Sequence, residues 1–225
     1  MIPTALFLFT LSTAVAADWR SNLSNLEPGS FPAPRAATMT YDFGWATFRA
    51  AEATATFSQP NDRHQVDLST RTVGFVRTLW RMDAKGVSSV HRDTLLPVSV
   101  RQQEFYRGKT TTTELDFTPQ SVAKFRRSLP DDKTPPPRKK FEFPRLLEMY
   151  SAYLFVRSQE LTNGQTFRFV AYPSTAPYLA TIAVAGHETL RTRVGERRAI
   201  KLDVKLQKIN RAWGLEPHAK FKRAS

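Results

Sequence analysis

The chain has 225 residues, contains no cysteine and carries a formal net charge of +13 at pH 7. The lack of cysteine excludes disulfides, cysteine-ligated zinc or iron–sulfur sites and thiol catalysis. A hydrophobic content of 41% and an aromatic content of 12% exclude a disordered chain, and the basic balance leads us to expect an anionic partner or surface.

The N-terminus has the pattern of a secretory signal. Residues 5–16 form an apolar run too short to cross a bilayer, and Ala14-Val15-Ala16 has the small-x-small form of a cleavage site. No lysine or arginine precedes the run, which departs from that pattern and leaves a buried first strand as the alternative. We expect residues 1–16 to be a signal peptide and the protein to be periplasmic or secreted. No later segment is long and apolar enough to span a membrane.

Residues 17–37 contain several prolines and are predicted to form a linker or an N-terminal arm. Strand-like alternation begins at Thr38 and continues in short runs separated by turn residues. Hairpin turns are expected at Asp83–Gly86 and at Tyr106–Lys109. The strands predicted in this half of the chain are Gln65–Thr70, Val73–Met82, Val87–Arg92, Val98–Phe105, Thr110–Phe117 and Val122–Arg127.

A proline-rich basic loop, residues 129–140, interrupts the strands. Pro135-Pro136-Pro137 cannot join a central strand and predicts an extended connection. The basic residues in and before this loop have two interpretations, a solvated loop or a contact site for phosphate-bearing lipid or polysaccharide. The candidate anion-contact loop comprises Lys124, Arg126, Arg127, Arg138, Lys139 and Lys140.

The stretch Phe143–Arg157 is the one long run with helical periodicity. Pro144 suits the first position of a helix, because its missing N–H costs nothing there. Apolar side chains recur from Leu146 at steps of three and four residues, and other apolar residues fill most of the remaining circumference. That distribution is typical of a buried helix, which we predict over about residues 144–157.

Strands resume after the Asn163-Gly164 turn signal, and they are predicted at Thr166–Ala171, Tyr178–Ala185, Glu188–Arg193, Ala199–Leu206 and His218–Lys222. Repeated short strands, one internal helix and no alternation of strand and helix indicate a mainly β fold. We predict a strongly curved antiparallel sheet or open β-barrel around the one buried helix. Because the elements on both sides of the proline-rich loop are alike, we expect residues 38–225 to form a single β-rich domain.

Sequence motifs of catalysis give no assignment. Gly108-Lys109-Thr110 ends like a phosphate-binding loop, but Gln103 stands where that loop needs glycine. There is no dinucleotide-binding glycine fingerprint, no Gly-x-Ser-x-Gly motif and no histidine pair with metal-ligand spacing. Nothing selects two of the twenty carboxylates as an acid–base pair. We therefore assign no catalytic, cofactor-binding or metal-binding residue and expect no cofactor.

The helix supplies the candidates for a ligand-binding or structural role, namely Tyr150, Ser151, Tyr153 and Arg157. Arg157 stands at the end of the helix. A structural interpretation makes it a last-turn cation that suits the helix dipole and caps carbonyl groups. A functional interpretation has its guanidinium reach a carboxylate inside the barrel or an anionic ligand head group.

The motifs that carry a family resemblance are Ser151-Ala152-Tyr153-Leu154-Phe155-Val156-Arg157, Leu161, Gly164, Gly195 with Ala199-Ile200-Lys201-Leu202, and Tyr41 with Ala51-Glu52-Ala53. With these motifs the chain, from about Thr38 to its end, resembles the bacterial envelope proteins grouped as the domain of unknown function 3108 family. The resemblance implies an exported, β-rich protein without an established activity. It also implies that this chain stops before one or two closing strands and is truncated at the C-terminus.

Our leading hypothesis is a non-enzymatic envelope protein that binds a lipid or an anionic glycan, because the mouths of barrels commonly hold ligands. One alternative is a cell-wall-active hydrolase, which needs two carboxylates, or a serine and a histidine, converging in a cleft. Another is a structural adaptor that docks on another envelope protein through an exposed strand edge. Nucleic acid is not an expected partner of an exported protein, and no transmembrane span is expected after signal cleavage.

Overall fold

The computed structural model describes residues 18–45, 48–129, 141–192 and 194–217. The predicted signal peptide, residues 130–140 of the proline-rich loop and the predicted strand His218–Lys222 lie outside these residues. The mainly β, antiparallel fold predicted from the sequence is confirmed. The described strands form two sheets that do not close into a barrel.

Sheet A is a seven-stranded meander in which each strand pairs with the next along the chain. Its strands are β1 (Ala37–Trp45), β2 (Phe48–Ser58), β3 (Arg63–Thr72), β4 (Met82–His91), β5 (Pro97–Tyr106), β6 (Lys109–Thr118) and β7 (Ser121–Ser128). The predicted hairpin turn at Tyr106–Lys109 is present, with Arg107 and Gly108 both at positive φ. Two residues at positive φ are what a tight two-residue hairpin requires.

Sheet B has four strands in the order β11-β10-β9-β8. Its strands are β8 (Thr166–Ala171), β9 (Tyr178–Thr192), β10 (Gly195–Ile209) and β11 (Leu215–Pro217). The sequence predicted two strands where β9 is continuous, because Gly186 was expected to be a turn. Gly186 instead lies at a bulge opposite Lys201, so pairing continues on both sides of it.

Two helices complete the described elements, α1 (Gly74–Leu79) and α2 (Met149–Ser158). The prediction of a strand at Val73–Met82 was wrong. Because Arg71 pairs with Asp83, the residues between them form the connection between β3 and β4 and cannot join the ladder. The turn expected at Asp83–Gly86 was also wrong, since these residues lie inside β4 and pair with both β3 and β5.

The buried helix predicted from the sequence is confirmed as α2, but it begins at Met149 and not at Pro144. Residues 143–147 lie outside the helix, with a turn at Pro144 and Arg145, and their backbone groups bond to the β6–β7 turn and to sheet B. The Phe143 N–H donates to the Gln120 carbonyl at 2.8 Å, and the Leu147 N–H donates to the Val170 carbonyl at 2.9 Å. These bonds anchor the segment, and Arg145 within it has a φ of 53°, which a helix cannot contain.

Helix α2 lies between the two sheets. Leu154 packs with Phe57 and Val90 of sheet A, whereas Phe155 packs with Phe167 and other residues of sheet B. Apolar residues on opposite sides of the helix thus bury it against two partners. The N-terminal arm, residues 18–36, adds Trp19 and Leu26 to the core.

Candidate ligand-binding cleft

The face of sheet A that packs on α2, which we call the inner face, is only partly covered by the helix. A cleft of about 470 Å³ lies between the inner face and α2. Protein sites for small ligands and cofactors usually occupy roughly 300–1,000 Å³. The cleft is lined by Tyr41, Ala55, Phe57, Val66, Leu68, Gly86, Val87, Ser88, Val100, Gln102, Glu148, Met149, Tyr150, Tyr153, Pro173 and Ser174.

The floor of the cleft is a row of residues that the strand registers place side by side. Ala55 pairs with Leu68, Leu68 with Gly86, and Gly86 with Gln102. Directly paired residues of an antiparallel sheet project from the same face. A Cβ at Gly86 would have the Arg101 carbonyl oxygen at 3.6 Å as its nearest neighbour, which is ordinary contact. Glycine is therefore not required by crowding here, and its missing side chain deepens the cleft.

Helix α2 supplies an aromatic wall. The rings of Tyr150 and Tyr153 are stacked with centroids 6.2 Å apart, and the Phe57 ring lies 6.0 Å from Tyr150 and 6.3 Å from Tyr153. Met149 and Tyr153 are one turn apart and are 63% and 46% exposed, because the sheets leave this side of the helix uncovered. Burial, followed by the neighbouring Tyr153 and Glu148, raises the pKa of Tyr150, so its phenol stays protonated.

Glu148 caps the helix at the same wall. Its carboxylate accepts hydrogen bonds from the Tyr150 N–H at 2.9 Å and the Ser151 N–H at 2.6 Å, while the Ser151 hydroxyl accepts from the Glu148 N–H at 2.7 Å. This is a capping box with the glutamate at the first position and the serine at the fourth. The Glu148 carboxylate thus accepts hydrogen bonds from backbone N–H groups at the N-terminus of α2 that would otherwise have no partner within the helix.

The electrostatics of Glu148 reflect a balance between burial and capping. The residue is 2% exposed, and burial raises the pKa of its carboxyl, while the backbone amides that it caps oppose that rise. The Ser88 hydroxyl of β4 lies close to Glu148 and also opposes the rise of its pKa. The hydroxyl oxygen of Ser88 itself makes no hydrogen bond of standard geometry. The other polar side chain of the floor, Gln102, donates to Glu104 at 2.7 Å.

The structure places the four helix candidates in different roles. Tyr150 and Tyr153 line the cleft, and Ser151 is fully buried in the capping box. The Arg157 guanidinium donates to the carbonyl of Pro32 in the N-terminal arm and lies at the exposed end of α2. It makes this contact outside the cleft, and both interpretations of its role, a last-turn cation that caps helix carbonyls and a contact to an anion, stay predictions.

The described members of the candidate anion-contact loop do not lie in a loop. Lys124, Arg126 and Arg127 belong to β7, which pairs with β6 along its whole length. Successive residues of a strand point to opposite faces, so Arg126 and Arg127 cannot act on one anion from the same side. The Arg126 guanidinium instead lies 4.0 Å from Glu114 of β6. Arg138, Lys139 and Lys140 fall outside the described residues.

Sequence reasoning singled out only Tyr150 and Tyr153 of the cleft, and the residues that it missed include Gly86, Ser88, Gln102 and Glu148. The spacing Glu148-x-x-Ser151 is a readable capping signal, and it could have set both the start of α2 and the place of the carboxylate. The other three residues are neighbours because of the register of β4 with β5. The sequence prediction placed a turn at Asp83–Gly86, inside β4, and therefore could not give this register.

Two features are absent from the described residues. No group of three His, Asp or Glu side chains in this part of the chain is placed to hold a metal ion. None of the helices in the same residues is long and apolar enough to cross a membrane.

Comparison with known proteins gives a matching family and a distant structural match. A crystal structure of a DUF1089 family protein from Pseudomonas aeruginosa is similar at 12% sequence identity and a TM-score of 0.39, covering 82% of this chain and 98% of that one. Comparison with curated proteins gives no match. The model of the family described as "Protein of unknown function (DUF3108)" matches residues 38–220. The chain therefore belongs to the DUF3108 family, whose function is unknown.

Proposed function

We propose that this protein is an exported, non-enzymatic envelope protein that binds a lipid, with the apolar chain of the lipid held between the inner face of sheet A and α2. The observation that carries the proposal is the cleft, which is lined mainly by apolar and aromatic side chains and is left unfilled by the helix. Apolar clefts with a few convergent polar groups are the usual form of a site for small ligands.

The lining favours a lipid over an anionic glycan. No lysine, arginine or histidine is among the residues that line the cleft, and its one carboxyl side chain is that of Glu148. The start of α2 would otherwise be a natural anion site, but Glu148 already occupies its amides. A neutral head group that can exchange hydrogen bonds with Gln102 or Ser174 fits this environment better than an anion.

The hydrolase alternative receives less support. A pair of carboxylates, or a serine and a histidine, would have to converge in the cleft, and among its lining residues Glu148 is the one carboxylic acid and there is no histidine. Both carboxylate oxygens of Glu148 accept hydrogen bonds from α2. A group already committed to capping is poorly placed to exchange protons with a substrate.

The test fills the cleft from its floor. Gly86→Leu would project a side chain into the cleft from an unstrained strand position, because Gly86 pairs normally with both neighbouring strands. Binding is measured by the fluorescence of the neutral probe N-phenyl-1-naphthylamine and by its displacement with monoacylglycerols. We expect wild type to bind the probe, and Gly86→Leu to bind it at least tenfold more weakly.

A matched control adds the same side chain to the opposite face of the same sheet. Ser69 neighbours Leu68 in β3, so it points away from the cleft, and Ser69→Leu should bind the probe like wild type. A wild-type protein that binds neither the probe nor any monoacylglycerol would refute lipid binding. So would equal binding by wild type and Gly86→Leu.

A further inference from the structure

One edge of sheet A, formed by the ends of its strands and not by an edge strand, displays a group of large apolar side chains to solvent. Strands β1, β3 and β5 end at this edge, and β2, β4 and β6 begin there, because neighbouring strands are antiparallel. The connections β1–β2, β3–β4 and β5–β6 are therefore collected on one side of the sheet. We call the exposed group the apolar rim, and its members are Phe43, Trp45, Phe48, Phe75, Leu79, Trp80 and Tyr106.

The exposure of the apolar rim is unusual for a protein surface. Leu79 is 73% exposed, Trp45 is 68% exposed and Phe75 is 63% exposed. Contiguous exposed apolar side chains mark interaction sites, whereas single ones need no explanation. The rim is contiguous at two points, since the rings of Trp45 and Phe48 lie 5.4 Å apart and those of Trp80 and Tyr106 lie 5.9 Å apart.

Helix α1 presents part of the rim from a fixed base. None of its six residues is buried, although three of them are apolar. Its position is held by polar groups: the Arg77 guanidinium donates to both oxygens of Asp83 at 2.8 and 3.0 Å, and the Thr72 hydroxyl donates to the Trp80 carbonyl at 2.9 Å. An exposed connection held in this way keeps Phe75 and Leu79 pointing outward.

Basic side chains flank the apolar rim. Residues 42–45, 48–52, 71–83 and 104–109, which form this edge, contain six cationic and four acidic side chains and so carry a net charge of +2. Two of the cations lie over rim or neighbouring rings, with Arg107 5.2 Å from the Tyr106 centroid and Arg81 5.1 Å from the Phe105 centroid. Tryptophan, tyrosine and phenylalanine together with arginine are the residue types that favour the boundary between lipid head groups and acyl chains.

We propose that the apolar rim docks on the surface of an anionic phospholipid bilayer, with Trp45, Phe75, Leu79 and Trp80 entering the head-group region. Arg49, Arg71, Arg77 and Arg81 pair with acidic side chains of this edge, and the net charge of +2 that remains matches the negative charge of such a surface. A second copy of this chain is a poorer occupant, because it would bring two edges of net positive charge together. No rim residue lines the cleft, so the docking surface does not depend on the proposed lipid site.

The inner face of sheet A connects the rim with the cleft. Phe43 follows the cleft residue Tyr41 by two positions in β1, and Tyr106 follows Gln102 by four in β5, so each pair shares a face. Helix α2 does not cover this part of the sheet, as the 47% exposure of Tyr41 shows. A lipid leaving a bilayer at the rim would reach the cleft along a continuous face of the protein.

The test is co-sedimentation of the protein with vesicles of phosphatidylglycerol and, separately, of phosphatidylcholine. We expect wild type to bind phosphatidylglycerol vesicles more tightly, and the double variant Phe75→Ser, Leu79→Ser to bind them at least tenfold more weakly. The matched control is Leu190→Ser, Val194→Ser, which removes two apolar side chains of 45% and 73% exposure from the β9–β10 hairpin. That control should bind like wild type.

A second measurement reports depth. Two of the four tryptophans, Trp45 and Trp80, belong to the rim, while Trp19 is buried in the core. Lipids brominated on their acyl chains should quench wild-type fluorescence, and the variant Trp45→Phe, Trp80→Phe should lose most of that quenching. Wild type that does not sediment with vesicles overturns the proposal, and so does a rim variant that sediments equally well. Rim-dependent self-association without vesicle binding would overturn it in favour of a second copy.

Discussion

At the scale of single residues, Glu148 connects the stability of α2 with the chemistry of the cleft. It caps the helix through two backbone amides and presents the one carboxyl group among the lining residues. Burial raises the pKa of its carboxyl above the ordinary value of 4.5. The folded protein thus holds a proton on this group at a pH where the unfolded chain has already released it.

The sign of the resulting pH dependence follows directly. A group whose folded pKa is raised contributes its stability fully below the unfolded pKa, and that contribution is lost as pH rises through the folded pKa. Glu148→Gln cannot ionise and removes this contribution. We expect the free energy of unfolding of wild type, relative to Glu148→Gln, to be greatest near pH 4 and to fall as the pH is raised from 4 to 8, measured by urea denaturation.

Taking the difference between the two proteins cancels other titrating groups. His64 is such a group, because burial, followed by the charge of Arg92, lowers its pKa and produces a trend of the opposite sign. A difference that stays constant with pH, or that grows as pH rises, would contradict the prediction. Glu148→Ala provides the capping control, and its loss of about 1 kcal/mol relative to Glu148→Gln should appear at every pH, because neither variant ionises at this position.

Single residues of the cleft could be predicted only where the spacing of apolar residues along the chain indicated their secondary structure. Tyr150 and Tyr153 were found because helical periodicity selected the segment that contains them. Gly86 and Gln102 became neighbours through the pairing of β4 with β5, and no local pattern in either strand specifies that register.

At the scale of elements, the N-terminal arm fastens the end of α2. The Gly29 N–H donates to the Ser158 hydroxyl at 2.9 Å, and the Phe31 N–H donates to the Ser158 carbonyl at 3.1 Å. The Gln159 side chain donates to the Glu27 carbonyl at 3.0 Å. These bonds satisfy groups that a helix end leaves without partners.

The arm leaves no room for a side chain at Gly29. A Cβ there would lie far inside contact distance of the Ser158 carbonyl oxygen, which is backbone and cannot turn away. We expect Gly29→Ala to lower the free energy of unfolding by about 1–3 kcal/mol, the usual effect of overpacking. Thermal or urea denaturation measures this loss.

Gly86→Ala is the matched control, because a Cβ at Gly86 makes only ordinary contact. Its free energy of unfolding should equal or slightly exceed that of wild type, since alanine orders a strand at lower entropic cost than glycine. A Gly29→Ala variant as stable as Gly86→Ala would show that the arm does not hold the helix.

Strands were predicted correctly where a whole run of alternating residues belongs to one strand. The alternation in β5 and β6 identified both strands, and the hairpin between them was correct. Val73–Met82 failed because its apolar alternation, which predicted burial in a strand, belongs in part to side chains displayed on the apolar rim. Alternation identifies side chains that share a face but cannot show whether that face is covered.

At the scale of the whole molecule, sheet A extends beyond what covers it. Helix α2 and sheet B bury one end of the inner face, the cleft lies at the boundary of that burial, and the apolar rim lies at the far edge. The mainly β, antiparallel architecture was predictable from strand spacing. The division into two sheets was not, because the number of residues between strands does not specify which of them pair.

A bound lipid should stabilise the whole fold, because the cleft joins α2 to sheet A and exists only in the folded protein. At a ligand concentration one hundred times the dissociation constant, the expected gain is about 2.7 kcal/mol. A monoacylglycerol should therefore raise the Tm of wild type, which differential scanning fluorimetry measures. An equal rise in Gly86→Leu would contradict a site in the cleft.

The empty position above Gly86 has a consequence for selectivity. Gly86 lies in the floor of the cleft, and its missing side chain adds depth there. Replacing it in turn by alanine, valine and leucine would therefore shorten the space for a bound acyl chain step by step. Each enlargement should move the optimum among monoacylglycerols toward shorter chains. If the proposed lipid site is correct, a single substitution at residue 86 should therefore change the preferred ligand length without changing the fold.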